Sequence, residues 1–257
     1  MSKKVDICVC VKDRQNVIEN TLNNILNQKF DDFRILCCDG LSKDMTMNKV
    51  YDMQGKTDNK VIAWQTEKEG YVNTHNFILS KTDAEYICFI DSDDIVDANK
   101  LEEQVKYLDS HPDVDVVSST TIFPNKKVLI NTVVELNDEQ ISKSLKEGNS
   151  ILGLCHFQSC MFRRKCLEKF KNGIYFYPEY EEGICGQGFL YTLHFLGYKF
   201  ANIISTIYLY TRGVLKNSMS NTSKPNFANA IDTLSYEKKM EYIEELFNTY
   251  NTKKVVE

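Results

Sequence analysis

The chain has 257 residues, 42% of them hydrophobic and 26% charged, which suits one large α/β domain or one domain with a helical tail. A net charge of −5 leaves no basic footprint and counts against a nucleic-acid partner, and no run reaches the roughly 18 to 20 apolar residues of a membrane span. Nine cysteines, an odd number, include Cys8, Cys10, Cys37, Cys38 and Cys88 inside apolar runs, where they read as reduced, buried thiols of a soluble cytosolic protein.

In chain order, Val5 to Val11 is a continuous apolar run, the mark of a strand buried on both faces. It is too short, and too soon followed by Lys12-Asp13-Arg14, for a signal peptide. Val17, Ile18, Leu22, Ile25 and Leu26 recur at helical spacing. Phe33 to Cys38 is a second strand ended by Asp39-Gly40, and a short helix follows with Met47, Val50 and Tyr51 facing inward. Lys60 to Trp64 predicts a third strand, Val72 to Leu79 a helix begun after Gly70, and Tyr86 to Ile90 a fourth strand that stops at Asp91-Ser92-Asp93-Asp94. Leu101, Val105 and Leu108 mark a helix and Val114 to Val117 a strand. This alternation predicts a mostly parallel sheet with helices on both faces.

Beyond Thr121 the pattern loosens. Asn137 to Glu147 reads as a helix, Phe157 to Phe162 as a strand and Lys165 to Lys171 as a helix. Tyr175 to Gly188 reads as a loop rich in Tyr, Glu and Gly, and Phe189 to Leu196 as a helix. Lys199 to Ile204 and Thr206 to Tyr210 read as two strands, and Asn226 to Asn248 as a helical tail carrying Phe227, Ile231, Leu234, Met240, Ile243 and Phe247. Cys155-His156, Cys160 and Cys166 lack the paired spacing of structural zinc sites.

Ligands of open α/β sheets bind outside the carboxyl ends of the strands. Three of those ends carry acids: Asp13 after the first, Asp39 after the second, and Asp91 to Asp94 after the fourth. In an extended chain Asp91 and Asp93 face one side, roughly 6 to 7 Å apart. Hard oxygen donors of this kind suit magnesium or manganese, which bind through one or two carboxylates and fill their shell with water and phosphate oxygens. The bland alternative is that Asp93 or Asp94 caps the helix beginning near Asp97.

Taken together, Val5 to Arg14 with Thr21-Leu22-Asn23-Asn24-Ile25-Leu26-Asn27-Gln28, then Asp39-Gly40-Leu41-Ser42, then Tyr86 to Asp94, form three ordered motifs. In these the chain resembles the family 2 glycosyltransferases, inverting enzymes of the GT-A fold. The resemblance runs from Val5 to about Val117 and returns more weakly at Met161 to Arg164 and Leu196 to Ala201. It implies one glycosyltransferase domain: a Rossmann-like nucleotide-sugar-binding half over 1–121, an acceptor half over 122–225 and a C-terminal helical tail over 226–257.

By position, the resemblance puts Val11 and Asp13 at the uracil and ribose of a UDP-sugar and Asp39 at the uracil ring. Asp91 and Ser92 fall beside the ribose and metal, and Asp93 becomes the direct ligand of Mn2+ or Mg2+. His75-Asn76 matches a basic-residue-plus-asparagine pair beside the diphosphate, the alternative for His75 being an exposed helix position. Arg212, Lys216, Ser218 and Ser220 match a loop closing over the diphosphate, without its usual histidine. The family's glutamate-aspartate base pair falls on Cys185-Gly186, so Glu182 or Glu181, a few residues upstream, is the expected general base.

These implications amount to metal-dependent transfer, with inversion, of a hexose or N-acetylhexosamine from a nucleotide-diphosphate sugar to an acceptor hydroxyl. The acceptor, whether saccharide, lipid-linked or protein, stays open, as do a homodimer and peripheral attachment to a membrane. Two alternatives remain: a degenerate donor-binding module without the base, and a sugar nucleotidyltransferase. The latter calls for a glycine-rich first loop that Val11-Lys12-Asp13 lacks.

Overall fold

The computed structural model describes residues 3–123, 128–130, 135–179, 185–209 and 234–252. Its first half follows the predicted alternation: β1 (Val5–Val11), α1 (Ile18–Leu26), β2 (Phe33–Asp39), α2 (Thr46–Lys56), β3 (Val61–Gln65), α3 (Tyr71–Ser80) and β4 (Tyr86–Phe89). There follow β5 (Ile95–Val96), α4 (Lys100–Ser110), β6 (Val116–Phe123), β7 (Val128–Ile130), α5 (Asp138–Lys146), α6 (Ile151–Leu154) and β8 (Met161–Arg163). The chain then runs through α7 (Cys185–Phe195), β9 (Phe200–Leu209) and α8 (Tyr236–Thr252).

The strands form one sheet in the order β3-β2-β1-β4-β8-β6-β9-β5, with β7 on β6. Pairings among β3, β2, β1 and β4 are parallel, as is β6 with β9, whereas β8 runs antiparallel to both β4 and β6. Continuous apolar strands allow burial on both faces. Val5, Ile7, Val9 and Val11 of β1 pack with Ile18, Leu22 and Ile25 of α1, Val50 of α2 and Leu101, Val105 and Leu108 of α4. Cys8, from the alternate set, faces Ile78 and Leu79 of α3 and the later helices on the opposite side. The mixed α/β, mostly parallel architecture with a C-terminal helix is therefore the expected one.

Several element expectations are corrected. Tyr51 points to solvent and Met53 takes its place inside. Phe157–Ser159 is a 3₁₀ turn rather than strand, because the Ser159 N–H and hydroxyl both bond the His156 carbonyl, at 2.9 and 2.7 Å. Lys165 to Lys171 holds only the 3₁₀ turn Arg164–Leu167, and beyond it the Lys171 N–H donates to Asn251 Oδ1 of α8 at 3.0 Å. The loop expected through Gly188 gives way to α7 at Cys185. The two strands expected either side of Ser205 are one, β9, and its pairing with β6 jumps from Ser119↔Ile203 to Thr120↔Ile207. That irregularity absorbs the break in the apolar pattern. Of the expected tail helix, Phe227 and Ile231 lie outside the described residues, and Leu234 is exposed.

Candidate functional site

The sheet order sets β2, β1 and β4 side by side, so the three acid-bearing strand ends are neighbours. The first loop leaves β1 at Val11, whose carbonyl accepts the Gly40 N–H at 2.8 Å. Asp13 sits in the left-handed region at φ 52°, a conformation aspartate tolerates better than most residues. There its N–H donates to Ser42 Oγ at 2.8 Å and its Oδ1 accepts the Lys43 N–H at 2.8 Å. The loops after β1 and β2 are thus locked to each other.

Asp39 ends β2 and is fully buried. Its carboxylate accepts the Ser42 N–H at 3.0 Å, the Ser42 hydroxyl, and Gln65 Nε2 at 2.8 Å from the end of β3. A carboxylate offers about four acceptor sites, so these three bonds hold it rigidly and leave little more than one site for a ligand.

The acid run after β4 is not extended, contrary to expectation. The Asp94 N–H donates to the Asp91 carbonyl at 3.1 Å, closing a turn over Ser92 and Asp93. Asp94 caps no helix. Its Oδ2 accepts the Tyr208 hydroxyl of β9 at 2.7 Å, and that hydroxyl accepts the Asp91 N–H at 3.1 Å. Burial, then the Asp94 and Asp91 charges, push the Tyr208 hydroxyl well above the usual tyrosine range, so it stays a donor. Asp94 and Ser92 are buried, whereas Asp91 and Asp93 keep partial exposure.

On the other side the turn is held by α1. Asn24 brackets Val96, accepting its N–H at 2.9 Å and donating to its carbonyl at 3.2 Å. Gln28 donates to the Asp97 carbonyl at 2.7 Å and accepts the Leu101 N–H, in the first turn of α4, at 3.1 Å. The asparagine and glutamine of the α1 phrase therefore anchor the chain just beyond the acid turn.

Arg14 reaches the turn from the first loop. Its Nη1 donates to the Lys12 and Asp13 carbonyls at 3.3 and 3.1 Å. Its Nε lies 3.4 Å from Asp93 Oδ2, with both side chains less than a fifth exposed.

His75 departs from both readings of it. It is buried on α3, stacked on Tyr71 at 3.8 Å and on Phe89 at 5.2 Å, with Phe176 edge-on at 5.1 Å. The Tyr71 carbonyl 2.9 Å from Nδ1 can only accept, which assigns the proton to Nδ1. Burial pulls the imidazole down to about 4, so at neutral pH the ring carries no charge to offer a diphosphate. Its neighbour Asn76 instead ties α3 to the loop at Tyr175 and Phe176. Oδ1 accepts the Tyr175 and Phe176 N–H groups at 2.9 and 2.8 Å, and Nδ2 donates to the Phe176 carbonyl at 2.8 Å.

Glu181, Glu182, Arg212, Lys216, Ser218 and Ser220 lie outside the described residues. Cys185 and Gly186, where the family's base pair falls, open α7 and are buried. Cys155, Cys160 and Cys166 are buried thiols that burial pushes up. Arg14 and Tyr208 are site residues missing from the expectations. The polar run after β1 was a legible sign of Arg14. A tyrosine in an aliphatic strand gives no sign that its hydroxyl meets an acid 114 positions earlier.

With this geometry in place, known proteins add four findings. The family model for glycosyl transferase family 2 matches residues 6–170, more than half of the chain. The poly(ribitol-phosphate) beta-N-acetylglucosaminyltransferase TarS of Staphylococcus aureus is 26% identical over 110 residues, 42% of this chain and 19% of TarS. The match thus spans less than a fifth of that relative's length. The crystal structure of S. aureus TarS 1–349 in complex with UDP-GlcNAc matches with a TM-score of 0.69 and 16% identity over 96% of this chain and 71% of that one. The mannosyltransferase PcManGT from Pyrobaculum calidifontis, in complex with GDP-Man and Mn2+, matches with a TM-score of 0.65 and 17% identity over 98% of this chain and 71% of that one. At identities this low, the TM-scores show the shared GT-A fold alone.

Proposed function

The chain belongs to glycosyl transferase family 2, and on that premise we propose that it transfers a hexose or N-acetylhexosamine from a UDP-sugar to an acceptor hydroxyl with inversion. The observation that carries this reading is the convergence of Asp13, Asp39 and the Asp91–Asp94 turn at three adjacent strand ends inside the matched segment. Asp39 supports the choice of uridine: a carboxylate accepts from the ring N–H of uracil, and cytosine has no donor at that place.

A divalent cation fits the acid turn. Asp91 and Asp93 offer hard carboxylate oxygens with partial exposure, and among the described residues no third acid, histidine or cysteine joins them in a metal-holding group. That donor set suits manganese or magnesium, which complete their shell from phosphate and water. Asp93 would hold the ion with Asp91 assisting, and the ion supplies neutralisation of the charge that develops on the departing diphosphate.

The residues of this chain then have separate tasks. Val11, Asp13 and Asp39 hold the nucleoside. Tyr208, Asn24 and Gln28 fix the backbone of the acid turn and of the chain just beyond it before the donor arrives. Arg212 and Lys216 are the proposed contacts to the diphosphate. Glu182, or failing it Glu181, takes the proton of the acceptor hydroxyl as its oxygen bonds the anomeric carbon, while the bond from that carbon to the diphosphate oxygen breaks. Glu182→Gln or Glu181→Gln at the true base is expected to bind donor normally and lose about 10² to 10⁴ in rate.

The deciding experiment is a thermal-shift and calorimetric screen of UDP-, GDP- and CDP-sugars with and without Mn2+. The reading expects a UDP-sugar with Mn2+ to raise the melting temperature by mass action, and Asp93→Asn to abolish the Mn2+-dependent part. Donor binding by Asp93→Asn that persists unchanged in EDTA would sink the metal assignment. Slow hydrolysis of donor with transfer to no acceptor would favour a donor-binding module.

A further inference from the structure

Arg14 is held where a cation is expected. Its Nε is buried without a hydrogen-bond partner, 3.4 Å from Asp93 Oδ2. Its Nη1 donates to the Lys12 and Asp13 carbonyls of the first loop, and its backbone N–H is pinned to Thr46 Oγ1 at 2.7 Å. Lys12 is no substitute nearby, because its ammonium is engaged by Glu69.

We propose that Arg14 is a stand-in counter-ion for Asp93 in the donor-free protein, and that it exchanges partners when the donor binds. The guanidinium gives up Asp93 to the divalent ion and takes a phosphate oxygen of the nucleotide diphosphate instead. The inference rests on the metal-dependent donor reading above.

The physical case has two parts. An acid turn of three aspartates without a cation repels itself, and a guanidinium at Asp93 relieves that repulsion in the empty site. The same guanidinium opposes a dication at Asp93, since two positive charges compete for one carboxylate in a half-buried place. Nε, buried 3.4 Å from Asp93 Oδ2 without a hydrogen bond, is poorly satisfied there, and a swing of the guanidinium toward a better acceptor would satisfy it. Phosphate oxygens are such acceptors, and arginine's planar fork matches them. Ion and diphosphate therefore help each other: the ion alone must evict Arg14, while the diphosphate gives Arg14 somewhere to go. By linkage the help is reciprocal, of the size typical for coupled sites, about 5- to 150-fold.

Calorimetric titration of the full chain with Mn2+ alone, UDP alone and Mn2+ with UDP present tests this in the wild type, Arg14→Gln and Arg14→Lys. The wild type is expected to bind Mn2+ weakly alone and about 5- to 150-fold more tightly with UDP. Arg14→Gln is expected to bind Mn2+ alone more tightly than wild type and to lose most of the coupling. Arg14→Lys, which keeps the charge, is expected to bind Mn2+ alone as weakly as wild type. Melting curves in EDTA should show Arg14→Gln less stable than Arg14→Lys, as loss of a positive charge beside Asp93 requires. Arg14→Gln that binds Mn2+ alone no better than wild type overturns the exchange and leaves the metal-dependent reading standing. A wild type that binds neither UDP nor Mn2+, alone or together, overturns both.

Discussion

Asp39 shows how much a single side chain can be read in advance. Its place at a strand end was legible from the sequence, but its three partners, two from Ser42 and one from Gln65, come from a turn and a neighbouring strand that no local pattern displays. Because those bonds hold the carboxylate in place, Asp39→Ala should cost about 1 to 3 kcal/mol of UDP affinity and erase any preference of UDP over CDP, as calorimetry of the two would show. His75 gives a prediction of a different kind. Its folded value near 4 lies below its ordinary 6.5, so between these values the unfolded chain binds more protons and stability rises with pH. The contribution is whole above pH 6.5 and is lost as pH falls toward 4. Urea melts at pH 7 and pH 5 should show wild type losing about 2 kcal/mol more than His75→Phe. Equal losses would mean the ring is not buried neutral.

At the scale of elements, the anchors of the acid turn matter more than the acids' own spacing. α1 looked like an amphipathic helix with a familiar closing phrase, and the structure turns that phrase into bonds to Val96, Asp97 and Leu101. Gln28→Ala leaves the Leu101 N–H without its partner and the Asp97 carbonyl with the Lys100 N–H alone, so it should cost about 1 to 3 kcal/mol in denaturation and weaken Mn2+–UDP binding without touching either ligand. The start of α7 is set by packing that sequence reasoning did not foresee. A Cβ on Gly186 would come within 2.5 to 2.7 Å of Phe157, so only glycine lets the first turn of α7 pack this closely on that ring. Gly186→Ala should therefore destabilise by about 1 to 3 kcal/mol, with Phe157→Leu expected to recover part of the loss.

For the whole molecule, legibility divides at the middle of the chain. Strands buried on both faces and stripes of helical spacing advertise themselves, and the parallel half from β1 to α4 followed from them. The second half is built from short turns, an irregular strand pair and side-chain brackets such as Asn76 on Tyr175 and Phe176, whose partners lie about a hundred positions away. The family match ends at residue 170, yet α8 is integral to the core. Ile243 and Leu246 are buried with α7, Tyr250 stacks on Tyr177 at 5.1 Å, and its hydroxyl donates to Glu179 at 2.7 Å. Ile243→Ala should cost about 2 to 5 kcal/mol by urea titration, a loss that a loosely attached tail would not show.

Tyr208 also sets a clock. Domains form from the N-terminus as the ribosome proceeds, at about 5 to 20 residues per second, so the parallel half with its acid turn emerges well before the tyrosine that bonds Asp94 and Asp91. A nascent chain halted before residue 208 would display the aspartates without their clamp. It should capture nucleotide and manganese poorly, however well its first four strands have formed. On the proposed reading, competence to hold the donor would then come late in synthesis. Ribosome-stalled chains ending before and well beyond Tyr208, probed with a fluorescent UDP analogue, would show the step.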